Sequence, residues 1–162
     1  PGYAFCRRRS GLGDGYGFES CQRRHRAGTG TFPFPEGEVP SVEKTTSPFP
    51  AKGTAVSMDD FMKLTKIPIV VYFGDNIPKG DTPVANWGED NWRVRWNLAK
   101  KWEAVMNKYG GHVQGISLPH IGIKSNNHFM MADLNKRGVA KAMEKGMKEK
   151  GFAKKGGFYI FV

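Results

Sequence analysis

Hydrophobic positions along the chain fall into a few regular patterns. From Ile67 to Asp75 the sequence reads IPIVVYFGD. Consecutive β-branched and aromatic residues halted by Gly-Asp predict a strand buried on both faces, with a carboxylate at its carboxyl end. From Trp92 to Tyr109 the apolar residues Trp92, Trp96, Ala99, Trp102, Met106 and Tyr109 recur at steps of three and four. That spacing predicts one helix with a single apolar stripe, closed by Gly110-Gly111, and three tryptophans on such a stripe read as core. Lys100, Lys101, Glu103 and Lys108 fall off the stripe. His112 to Leu118 predicts a second strand, weakened by Gly115. Strand, helix and strand in this order form a βαβ unit, which makes the two strands parallel.

Shorter signals fill in the rest. Ser57-Met58-Asp59-Asp60 has the form of a capping box and predicts a helix over Met58–Leu64. Asp133 to Gly151 predicts an amphipathic helix with Leu134, Val139, Met143 and Met147 facing inward and lysines outward. The tail from Phe158 to Val162 reads either as an added edge strand or as a hydrophobic flap. Two loops, the polar 76–91 and 119–131, follow the two strands, so both lie at the carboxyl end of the sheet. In open α/β sheets ligands bind at that end. The first segment follows Asp75 and the second carries His128.

Residues 31–56 are dominated by Pro and Gly and read as a surface connection in extended conformations. Residues 1–30 are rich in Gly and Arg, without helical or alternating period, and read as irregular or disordered. The chain thus divides into an irregular basic segment (1–30), a Pro/Gly-rich connection (31–56) and an α/β portion (57–162).

Charge sharpens this division. The formal net charge is +10, which raises nucleic acid as a partner class. Its distribution argues against that partner. Six of the nine arginines, and no lysine, lie in residues 1–30; later positions use lysine except at Arg93, Arg95 and Arg137. A shift of this kind reads as two sequences of different origin, and residues 1–26 are expected to be non-native, from a shifted frame or a misjoined exon. The chain opens on Pro, as a fragment or processed product would. Cys6 and Cys21 both lie in that first segment and fix no redox compartment. The four histidines show no paired ligand spacing, so no metal site is expected. No Gly-rich phosphate loop follows a strand, so no nucleotide cofactor is expected. Nor does any stretch approach the ~20 apolar residues of a membrane span.

The strand ending Phe-Gly-Asp, the helix ending NKYGG and the strand ending Leu-Pro, followed by Ile-Gly-Ile, Asn-His-Phe-Met-Met and Asp-Leu-Asn, come in an order that resembles a known family. Over residues 57–151 the chain resembles the carboxyl-terminal part of an α/β-hydrolase, and more narrowly the bacterial esterase 713-like serine esterases. The resemblance implies a partial α/β-hydrolase fold made of the last parallel strands and helices of the sheet. It also implies a small-molecule carboxylic ester as substrate, no cofactor and a secreted or periplasmic location. By the same resemblance His128 matches the catalytic histidine, the general base and then general acid of a Ser-His-acid triad.

Asp75 takes the position of the orienting acid in many α/β-hydrolases, although the esterase 713-like group places a glutamate in a Glu-Pro-Gly turn after the preceding strand. The matching place here is Arg26-Ala27-Gly28, which holds no carboxylate. Asp75 is therefore either the orienting acid or a cap on the strand end that accepts backbone N–H groups. No G-x-S-x-G elbow occurs. Without a nucleophile the covalent route cannot run, so the chain alone is expected to be inactive. Two other readings stand beside this one: a non-catalytic hydrolase relative that binds a partner, and a nucleic-acid binder that uses its arginine-rich start. An unpaired inner edge on the first strand would favour homo-oligomers.

Overall fold

The apolar run after Ile67 becomes the middle of a parallel sheet. The computed structural model describes residues 32–150 and the strand Ile160–Phe161. The elements are β1 (Phe32–Pro35), β2 (Gly53–Val56), α1 (Met58–Leu64), β3 (Pro68–Phe73), α2 (Trp87–Lys108), β4 (His112–Ser117), a 3-10 turn (Leu118–Ile121), α3 (Lys136–Glu149) and β5 (Ile160–Phe161). β3 pairs in parallel with β4 along its whole length, from Pro68 opposite His112 to Phe73 opposite Ser117. On its other side Val70 and Val71 pair in parallel with Ile160 and Phe161 of β5. The tail thus supplies an edge strand there, and the inner edge of β3 is covered at those two positions. The reading of residues 1–30 as an irregular, non-native segment lies outside the described residues.

Each face of β3 meets its own helix because successive side chains on a strand point to opposite sides. Ile69, Val71 and Phe73 join Val94, Leu98, Ala99, Trp102 and Met106 of α2 in one core. Val70 and Tyr72 join Leu118, Met130 and the α3 residues Val139 and Met143 in a second core. Helices on both faces explain why this strand reads as an unbroken apolar run instead of an alternating one. The architecture is mixed α/β with short parallel strands. Burying each large apolar side chain in these layers contributes about 1.5–3 kcal/mol.

Four details depart from the sequence expectations. First, α2 begins at Trp87, not Trp92, because the Asn86 side chain accepts the N–H groups of Gly88 and Glu89 and caps an extra turn. Second, α3 begins at Lys136 instead of Asp133, since Asp133 and Asn135 spend their side chains on the preceding loop. Leu134, expected to face inward, therefore lies outside the helix and is fully exposed.

Third, the segment read as a surface connection packs into the first core. Phe34 and Ala51 are buried, and β1 and β2 pair in parallel with each other. The Trp102 indole N–H donates to the Pro33 carbonyl at 2.7 Å, and the Phe32 and Trp102 rings lie 5.1 Å apart. The buried indole thus gains a partner, and the strap is fixed to α2. Fourth, Trp92 leaves the core to stack on the His128 ring, with centroids 4.9 Å apart.

Candidate functional site

β3 and β4 run in parallel, so their carboxyl ends lie side by side. Phe73 leads through Gly74 to Asp75. Ser117 leads through the 3-10 turn into the loop that carries His128. The loop crosses directly over the end of β3. A Cβ on Gly74 would sit 2.2 Å from the Asn127 carbonyl oxygen, so only glycine admits this approach. The Asp75 N–H donates to the Asn126 carbonyl at 3.0 Å, which ties the two segments backbone to backbone.

Asp75 acts on the same contact. One carboxylate oxygen accepts the Asn76 N–H at 2.8 Å and the other accepts the Ser125 N–H at 2.9 Å. Asn76 and Ser125 are also the two non-glycine residues with positive φ among the described residues, 58° and 65°. Left-handed backbone costs such residues on the order of 1–3 kcal/mol, and the Asp75 carboxylate helps hold both turns in place. The Ser125 N–H, followed by that of Asn76, keeps the Asp75 carboxyl below the ordinary carboxylate range. Both Asp75 carboxylate oxygens thus accept backbone N–H groups at the end of β3. Among the described residues no hydrogen bond joins Asp75 to His128.

Further polar contacts shape the His128 loop. Asn126 is buried and its side-chain N–H donates to Asn135 Oδ1 at 2.5 Å, while the Asn135 amide donates to the Lys124 carbonyl. The Asn127 N–H donates to Asp133 at 2.8 Å, and the Asn127 side chain accepts the Phe129 N–H at 2.6 Å. The sequence offered a signal for this loop: Ser-Asn-Asn followed shortly by Asp-x-Asn, residue types that bind nearby backbone. Met130 anchors the loop in the second core. His128 is left exposed at the rim, stacked on Trp92 at an interplanar angle of 28° and touching the edge of Phe129.

The amino-terminal part of α2 holds a second polar cluster that the sequence reading missed. Asp90 and Arg93 are both 0% exposed, with Nε of Arg93 2.6 Å from Asp90. Asp90 also accepts from the Thr45 hydroxyl and from the N–H groups of Thr46 and Val84. The rest of the Arg93 guanidinium donates to the carbonyls of Gly80 and Lys44 and to Glu43. Burial opposes the Asp90 charge, but Arg93, Thr45 and the two N–H groups outweigh it and hold the carboxyl far below the usual range. With its polar groups engaged, this cluster is a structural clamp joining 43–47 and 80–84 to α2.

Among the described residues no helix is long and apolar enough to cross a membrane. Nor does any group of three His, Cys, Asp or Glu come together to hold a metal. No protein-family model and no curated protein matches the chain. Among solved structures it is similar to one described as the atomic resolution structure of a novel bacterial esterase, with 30% identity and a TM-score of 0.47. The match covers 59% of this chain, which spans 27% of the esterase's length.

Proposed function

We propose that this chain is the histidine-bearing, carboxyl-terminal part of an α/β-hydrolase acting on carboxylic esters, with His128 as its proton shuttle. One observation carries the reading. His128 stands at the carboxyl end of a parallel strand pair, on a loop clamped to that end by Gly74 and Asp75. A histidine so mounted can take the proton of an attacking hydroxyl and return it to the leaving alcohol. Trp92 packs on one face of the imidazole and fixes its tilt. Asp75 serves as a positioning residue by holding the loop, and the carboxylate that orients the imidazole comes from elsewhere. The sequence motifs from Phe73-Gly-Asp75 to Asp133-Leu-Asn135 support the same family.

The 162-residue polypeptide, lacking a G-x-S-x-G serine, is expected to hydrolyse short-chain nitrophenyl esters no faster than its His128→Ala variant. Joined to an upstream segment carrying such a serine elbow, it should turn over those esters and lose about a thousandfold or more on His128→Ala. Turnover in the joined protein that survives His128→Ala would overturn the role of His128.

A further inference from the structure

Beside His128 lies a cation that the ester chemistry does not use. Arg95 sits on α2 next to Trp92, with its guanidinium carbon 5.4 Å from the centre of that indole. The His128 ring lies 4.9 Å from the same centre. Arg95 and His128 therefore both meet the Trp92 indole. Yet Arg95 is poorly satisfied. Among the described residues its Nε donates to Asn91 Oδ1 at 3.1 Å, and no carboxylate lies within ion-pair reach. The contrast with Arg93, two positions earlier on the same helix, is plain. That guanidinium reaches two carboxylates and two carbonyls. Arg95 is half-buried, and burial alone pulls its pKa below the ordinary guanidinium value.

A half-buried guanidinium set against an aromatic ring, with N–H groups that meet no partner among the described residues, is suited to bind a carboxylate in the two-pronged manner of arginine. Lys79 and Lys124 lie near enough to Asp75 to act on its carboxyl, which itself accepts two backbone N–H groups. On the other side of His128 the exposed Phe129 offers an apolar edge.

We propose that Arg95 and Trp92 form an anion subsite adjoining His128, which selects ligands that carry a carboxylate on an apolar or aromatic body. The proposal rests on the hydrolase reading and names the substrate class of that site as anionic esters. Binding at the subsite needs no nucleophile, so it is testable on the chain as given.

Benzoate is the probe and neutral benzamide its control, each titrated into the 162-residue chain while the His128 ring protons are followed by NMR. Benzoate should shift the His128 signals in a saturable way, with benzamide at least about tenfold weaker. Arg95→Met should weaken benzoate by at least about tenfold, and Arg95→Lys should recover part of the loss. Equal shifts from benzamide and benzoate would overturn the proposal, as would undiminished benzoate binding in a folded Arg95→Met chain. Should Arg95→Met fail to fold, the benzamide comparison on the unaltered chain decides. If benzoate binds through Arg95 while the joined protein keeps turnover in His128→Ala, the hydrolase reading fails and the subsite stands. Ester turnover dependent on His128 without benzoate discrimination gives the reverse.

Discussion

Asp90 and Asp75 are both aspartates whose oxygens accept N–H groups from loops remote in sequence, and they differ in how much water reaches them. Asp90 is fully buried, paired with an equally buried Arg93, and joins three segments through four partners. Asp75 is half-buried, has no ion pair among the described residues, and holds two turns of positive φ through two N–H groups. A dry, fully satisfied ion pair cannot lose one member cheaply, since the remaining charge stays uncompensated. A carboxylate open to solvent can exchange its N–H partners for water at small cost. The first arrangement fixes the frame. The second holds a loop that carries chemistry and leaves it free to adjust.

The difference is easiest to break at Arg93. Arg93→Met leaves Asp90 buried without its counter-charge and should destabilise the protein by about 3–5 kcal/mol, read from urea denaturation. A loss below about 1 kcal/mol would mean that water reaches Asp90 and that the two aspartates are alike. Gly74→Ala comes next. Its new Cβ collides with the Asn127 carbonyl, so the His128 loop must move, at a cost of about 1–3 kcal/mol. The stack of His128 on Trp92 should weaken in the same variant, visible as altered tryptophan fluorescence. Unchanged fluorescence and stability would show that the loop does not cross β3 at this point. Trp92→Ala removes the ring that both His128 and Arg95 meet; it should cost about 0.5–1.5 kcal/mol on top of the lost ring burial and should leave the Asp90 cluster intact.

Where period decides structure, the chain was legible. The strands at Pro68 and His112 and the stripe of α2 follow from apolar spacing, because each buries a face against a neighbour, and the helix at Met58 follows from its capping box. Polar clamps were not legible in that way. The first turn of α2, Trp87 to Asn91, looks like loop because Gly88, Glu89, Asp90 and Asn91 carry no apolar stripe. Its signal is Asn86 followed by Glu89, a capping pair whose side chains meet at 3.4 Å. Asp90 and Arg93 sit three apart on a helix that period alone starts at Trp92, so half of the pair fell outside it. The strap at residues 32–56 reads as connection because its prolines mask Phe32 and Phe34, whose burial depends on a helix distant in sequence. For the candidate site, the strand-end position marked Asp75, while the family resemblance marked His128 as the proton shuttle. The geometry of their loops came from Gly74 and from the asparagines, which bind backbone and leave no periodic trace.

Acid titration sharpens the comparison with the smallest perturbation. Both carboxyls titrate in the folded chain below their unfolded value of about 3.9. Each therefore stabilises the fold above that value and loses the contribution as pH falls through its folded pKa. Asp90 is depressed much further, so its cluster should outlast the Asp75 contacts on acidification. Lowering the pH from 5 should move the amide signals of Asn76 and Ser125 first, because a protonated carboxyl no longer accepts equally on both oxygens. The amides of Thr46 and Val84 should hold their positions to lower pH. Asp75→Asn should abolish the first titration and leave the second unchanged. If the Thr46 and Val84 signals move together with those of Ser125, the buried pair is no drier than the site. The division between frame and working loop would then fail.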